Sequence, residues 1–300
     1  MRSCLLFLFA IGNFCLFSQS FLPVCKNFST EDYGDDAEFR CAVSDNKGTT
    51  YFGTNYGVLI YKGEKKTIGK NWGVMILPEP DVILSLYLDT TTNRLYAGTG
   101  HDFGYFQLSA YNEAEYFSLG KKLDSYKESF ETWHIYKQNS SIVFHTIAAL
   151  FVYDEKERLT VLKSPQGGIF HNVFPVENGL LINALDKGWF FYNGALQPVG
   201  VSDLQPDKCY SVLPLPEKNS YQFFFRNTGV FKLQFSENKF SNIKKVSSDA
   251  FDQWLSQSQL YGAGFSADRE KIIFATLING VAIAENSNLL EPASILCILV

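Results

Sequence analysis

Six times along the chain, two short apolar runs are joined by a tight polar turn. The first copy is YFGTNYGVLIY, Tyr51 to Tyr61, and the later ones are LYAGTGHDFGYFQ, VFHTIAALFVY, LINALDKGWFFY, FFFRNTGVFKL and IFATLINGVAI. Aligned on the turn, Gly57 is followed by Gly104, Ala149, Gly188, Gly229 and Gly280, so the unit recurs every ~40–50 residues. Around each turn the pattern widens. An alternating strand and a turn such as Asp45-Asn46-Lys47-Gly48, Thr92-Asn93 or Glu177-Asn178-Gly179 come before it, and a weaker fourth strand such as Arg158–Lys163 follows. Four strands per unit, repeated at this period, specify an all-β chain. The expected fold is a β-propeller of four-stranded antiparallel blades, with about six units present, as part of a seven-bladed ring; the alternative is a six-bladed ring closed by a strand that Cys25–Tyr33 adds to the final blade. Asp249–Gln259 is the one stretch that reads as a short helix, inserted between units five and six. The repeated Gly suits φ > 0 and close approach in a turn, so the Ala149 turn is expected to be longer or differently shaped.

Composition excludes some function classes. The chain is 46% apolar and 19% charged over 300 residues, enough for a full core. Its 27 Phe and 16 Tyr fall in strand-like runs. A formal net charge of −5 argues against gripping a nucleic-acid backbone, which takes a basic face.

Arg2, the apolar run Leu5 to Phe17 and Ser18-Gln19-Ser20 read as a cleaved secretory signal over residues 1–20, so a periplasmic or secreted product is expected. The apolar run is short for a membrane span, which takes roughly 20 residues. Export permits disulfides. Cys25 and Cys41 are spaced to bridge, while a buried free thiol is the commoner fate of a lone strand cysteine. The propeller is assigned to residues 21–285. Residues 286–300, NSNLLEPASILCILV, lose the repeat and read as a truncation or a shifted frame.

No phosphate-cradling loop, HExxH, GxSxG or CxxC occurs, so no catalytic residue, metal or cofactor is expected. His101, His134, His145 and His171 are scattered; such residues serve as ligands or bases when they converge on a propeller axis, and more often satisfy local hydrogen bonds. In a propeller the turns between second and third strands share a face with the inter-blade connectors. On that face the candidate ligand-binding residues are Asn55, Tyr56, His101, Asp102, Asp186, Lys187, Arg226 and Asn227, with Asn279 beside them. Polar, charged and aromatic groups at a channel mouth suit a polar or sugar-like ligand. Trp72, Trp133, Trp189 and Trp254 read as blade packing.

Laid out in order, these motifs resemble a known family. Asn27-Phe28 and Glu31-Asp32-Tyr33-Gly34, then YFGTNYGVLIYKG, YAGTGHDFGYF, Glu131-Thr132-Trp133-His134-Ile135-Tyr136 and QLYGAGFSADREKIIFATLINGVAI match the N-terminal propeller of periplasmic sensor-regulators of Bacteroidetes. Those proteins are built from two-component-regulator propeller repeats. The resemblance spans about residues 23 to 285. It implies a non-catalytic sensor outside the cytoplasmic membrane, a ligand that is often glycan-related, and dimer contacts made through the full-length protein. It further implies a triple-tyrosine domain, a membrane span and an output that is either a DNA-binding domain or a histidine kinase; none of these is present in this sequence. The alternative is a freestanding secreted or periplasmic propeller that binds a glycan or a protein.

Overall fold

A computed structural model describes residues 28–33, 38–63, 71–109, 114–123, 126, 128, 130–200, 204, 207–285 and 296–298. The expected signal segment, Cys25 and most of the tail lie outside them. Residues Met1–Ala37 and Glu38–Val300 form two compact units. The described part of the first is a single-turn helix, α1, Thr30–Tyr33, preceded by Ser29, whose backbone N–H donates to Asp32 Oδ2 at 2.7 Å.

The second unit is the propeller. Its blades are Cys41–Ser44, Thr50–Gly53, Gly57–Tyr61 and Trp72–Ile76 (one); Ile83–Asp89, Arg94–Thr99, Phe103–Leu108 and Ala114–Ser118 (two); and His134–Gln138, Ser141–His145, Ala149–Tyr153 and Leu159–Lys163 (three). They continue as Ile169–Val176, Gly179–Leu185, Gly188–Tyr192 and Leu196–Pro198 (four), and Cys209–Pro214, Ser220–Phe225, Gly229–Ser236 and Lys239–Lys245 (five). Blade six is Leu260–Phe265, Lys271–Thr276, Val281–Glu285 and Leu296–Ile298. Within each blade neighbouring strands pair antiparallel in chain order. The expected helix is present as α2, Asp249–Gln257, capped by the Ser248 hydroxyl, which accepts from the Phe251 N–H.

Local chemistry explains the repetition. The turn between first and second strands carries an asparagine in left-handed backbone in four blades, at Asn93, Asn139, Asn178 and Asn219, a conformation that Asn tolerates better than most residues. In four blades the turn between second and third strands is stapled by a threonine. Thr54 Oγ1 donates to Gly57 O at 3.0 Å, Thr99 to Asp102 O at 3.0 Å, Thr146 to Ala149 O at 3.1 Å and Thr276 to Gly280 O at 2.9 Å.

The Ala149 turn therefore departs from expectation. It is neither longer nor differently shaped, because Thr146 N donates to Ala149 O at 3.0 Å just as Thr54 N donates to Gly57 O at 2.9 Å. Glycine is needed at position 104 for a different reason. A Cβ there would stand 2.1 Å from Phe117 O on the fourth strand, so the residue is set by close backbone approach and not by a positive φ.

Packing runs from blade to blade. The first strands of blades one and two, two and three, four and five, and five and six lie beside one another, and apolar cores fill the spaces between blades one and two, two and three, three and four, four and five, and five and six. Phenylalanine dominates. Phe103, Phe144 and Phe151 are fully buried with ring centroids 4.7 and 4.8 Å apart between blades two and three. In blade six the two faces differ. Ile272 and Phe274 are fully buried against blade five and α2, whereas Ile273, on the other face, is 39% exposed. Ile272→Ala is expected to cost about 2–5 kcal/mol, and Ile273→Ala under about 1 kcal/mol, in urea unfolding. Equal losses would show that the second face is covered too.

Candidate functional site

The turn face is assembled as the topology requires, with connectors hydrogen-bonded to the turns between second and third strands. The connector into blade two brings Asp81 beneath the blade-two turn. There it accepts from Thr99 Oγ1 at 2.5 Å, His101 N at 2.9 Å and Val82 N at 2.8 Å, and pairs with His101 Nδ1 at 3.2 Å. Burial pushes the Asp81 carboxyl up, but these hydrogen bonds outweigh it and hold its pKa below the ordinary value. The connector into blade five repeats the device. Asp207 accepts from the backbone N–H of Asn227 at 3.1 Å and of Thr228 at 3.0 Å, and from Asn227 Nδ2 at 3.0 Å and Thr228 Oγ1 at 3.1 Å. Sequence reasoning missed both aspartates because the pairing spans about 20 residues. The recoverable signal was an Asp just before the first strand of each of these blades.

The eight candidate residues do not form one site. Asp186, Lys187, Arg226 and Asn227 line one cavity of about 780 Å³ between blades four and five, together with Asp207, Lys208 and Trp189. His101 and Asp102 line a second cavity of about 890 Å³ on blades two and three, with Tyr116, Lys121 and Tyr126. Asn55 and Tyr56 line neither.

Several of these side chains are already engaged. Asp102 is turned inward, accepting from Gly120 N at 3.1 Å and Tyr116 OH at 3.2 Å, and burial raises its pKa against those hydrogen bonds. Arg226 donates twice to Leu260 O, at 3.0 and 2.8 Å, and lies 4.2 Å from the centre of the Tyr210 ring. Asn227 accepts from Ser256 Oγ of α2 at 3.2 Å while donating to Asp207, so both ends of its amide are used. Asp186 and Lys187 are exposed, with Asp186 in left-handed backbone at φ 59°. They stand at the rim of the first cavity; Asn55 and His101 are exposed as well, away from it.

The histidines divide likewise. His101 stays on the turn face. His134 and His145 stack with ring centroids 5.5 Å apart and Nδ1 atoms 3.3 Å apart, and His145 Nε2 is 2.9 Å from Phe170 O. Among the described residues no group of three or more His, Cys, Asp or Glu side chains is arranged to hold a metal. Cys41 is a free thiol, half-buried, with its pKa pushed up to about 11 by burial. Among the described residues no helix is long and apolar enough to cross a membrane.

No family model matches the chain, and no curated protein matches it. Solved structures do match in fold. The WD40 propeller domain of Doa1 superposes with a TM-score of 0.59 at 12% identity, over 88% of this chain and 83% of that one. The mitotic checkpoint complex gives a TM-score of 0.62 at 14% identity, over 85% and 76%. The extracellular domain of the BT4673 two-component system of B. thetaiotaomicron gives 0.55 at 15% identity, over 89% of this chain and 34% of that structure. The chain is thus a β-propeller of six four-stranded blades, and the structures it resembles include the extracellular domain of a two-component system.

Proposed function

We propose that this propeller is the extracytoplasmic, non-catalytic ligand-sensing part of a membrane-spanning regulator, either a transcriptional regulator or a hybrid histidine kinase. The output elements are then carried by polypeptide outside the 300 residues. The ligand sits on the turn face and is polar, with a glycan as the leading class. The supporting observation is the cavity between blades four and five, where Asp186, Lys187, Asp207, Lys208, Arg226 and Asn227 converge within about 780 Å³. This is a size and polarity suited to a small polar ligand. The likeness in fold to the BT4673 extracellular domain supports the sensor role and a periplasmic location. The uncovered face of Ile273 in blade six supports the reading of these blades as part of a seven-bladed ring.

The test is calorimetric titration of the protein with a panel of neutral and acidic oligosaccharides, repeated on Asp186→Ala and Lys187→Ala. Saturable binding weakened at least tenfold by either substitution is expected. Turnover of a glycan, or binding indifferent to both substitutions, would overturn the assignment.

A further inference from the structure

A different cavity, of about 550 Å³, opens among the innermost strands of blades three to six. Trp133, His134, His171, Tyr210, Tyr261 and Ile147 are among the residues that line it. The backbone builds this lining. In the pairing of first and second strands the register slips by one residue at the same place in blades two, four, five and six, between Ile83 and Ser85, Phe170 and Asn172, Cys209 and Ser211, and Leu260 and Gly262. In the last three the extra residue is His171, Tyr210 or Tyr261. A bulge re-aims the side chain of its unpaired residue, and here three bulges in succession bring rings to one cavity. In blade three the pairing is regular, with His134 opposite His145.

The hydrogen bonds fix what these rings offer. Phe170 O can only accept, so His145 Nε2 carries a proton and, in the neutral ring, Nδ1 is an acceptor. His134 Nδ1 must then be the donor across the 3.3 Å contact, which leaves His134 Nε2 with a free lone pair. His171 packs edge-on to Tyr210 with centroids 5.2 Å apart, and its buried Nε2 has no hydrogen-bond partner among the described residues. Tyr261 is 55% exposed and its ring centre lies 6.4 Å from that of Tyr210.

We propose that this cavity is a second binding site, distinct from the cavity between blades four and five, for a small uncharged aromatic molecule bearing an O–H or N–H group, of the phenol or indole class. The rings of Trp133, Tyr210 and Tyr261 supply flat apolar surface, Ile147 adds an aliphatic wall, and the imidazole lone pair of His134 accepts the donor. Glu131 also lines the cavity and disfavours an anion, and ionic groups lose solvation on entry.

The experiment titrates the 300-residue chain with 4-methylphenol and with toluene, which has the same flat ring without the hydroxyl. Ligand-observed NMR reads the binding. On the wild type, 4-methylphenol is expected to bind saturably and at least tenfold more tightly than toluene. In His134→Phe, which keeps the ring and removes the acceptor, that preference should fall to near unity. Tyr261→Ala, a change at an exposed side chain, should weaken both ligands at least severalfold, and Lys187→Ala on the turn face should change neither. Equal affinity for the two ligands, a preference that survives in His134→Phe, or the absence of saturable 4-methylphenol binding would overturn the proposal. Glucose competing at this site in place of the phenol would overturn it as well. Failure of these arms leaves the oligosaccharide titration of the turn face to stand or fall by itself.

Discussion

Gly229→Ala is expected to destabilise the protein by about 3 kcal/mol or more, lowering the unfolding midpoint by roughly 6–12 °C. Gly229 opens the third strand of blade five at φ 95°, in backbone that side chains rarely adopt. A Cβ there would stand 2.0 Å from Asp252 Oδ1 and 2.5 Å from Ser247 Oγ. Those atoms dock α2 onto the blade. Val230 N donates to Ser247 Oγ at 2.8 Å, Ser247 Oγ donates to Asp252 Oδ1 at 2.5 Å, and Lys245 Nζ meets Asp252 Oδ2 at 2.6 Å. The substitution must therefore displace a buried carboxylate, and with it the helix whose Phe251 and Leu255 are fully buried in the core between blades five and six. Gly194→Ala separates strain from collision, since Gly194 also has positive φ, at 110°, but nothing lies within 4 Å of its added Cβ. It should cost only about 1–2 kcal/mol. Calorimetric unfolding of both variants checks the difference, and equal losses would refute the docking role.

The second large effect is a loss of stability on mild acidification. His145 is 1% exposed, and burial, followed by the neighbouring His134, pushes its pKa down to about 3 from the ordinary 6.5. The unfolded chain takes up this proton near pH 6.5 and the folded chain only near pH 3. Between those values the unfolded state binds more protons, so stability is full above pH 6.5 and falls as the pH drops below it. Each pH unit is worth about 1.4 kcal/mol per histidine, on the order of 4 kcal/mol across the window. His171 is displaced the same way, to about 4, chiefly by burial. His134 is also displaced, but its ring is open to the inner cavity and water there reduces its share. Asp89 behaves differently. Burial pushes its carboxyl up, hydrogen bonds from Thr91 and Lys137 outweigh this, and its pKa falls to about 2. Its contribution is present above the unfolded value of 3.8 and is lost only as the pH falls through 2. Urea unfolding between pH 7.5 and 5 should therefore show a steep slope. His145→Gln keeps a donor for Phe170 O and removes the titrating group, so it should flatten that slope by about one proton. An unchanged slope would place the acid sensitivity elsewhere.

The two substitutions also show which parts of the molecule were legible in the chain. The repeat, the turns at Asn93 and Asn178 and the helix before unit six are local features. Each is set by backbone geometry within a few residues, so spacing alone located them. The Ala149 turn was misjudged because its shape is held by Thr146, a staple that does not depend on glycine. The turn-face residues lie in the turns that the repeat marked, yet the spread of six of them between two cavities and their engagement by Asp81 and Asp207 depend on contacts between blades.

The inner cavity was the least legible part. His134 and His171 were visible in the sequence, whereas the one-residue slips that present His171, Tyr210 and Tyr261 carry no compositional mark on any single strand. By itself the sequence determined an all-β propeller of repeated four-stranded units, because alternation and turn chemistry act over short distances. The tertiary structure decided which side chains share a cavity and which are spent on holding turns, because those outcomes depend on register and on packing between units distant in the chain.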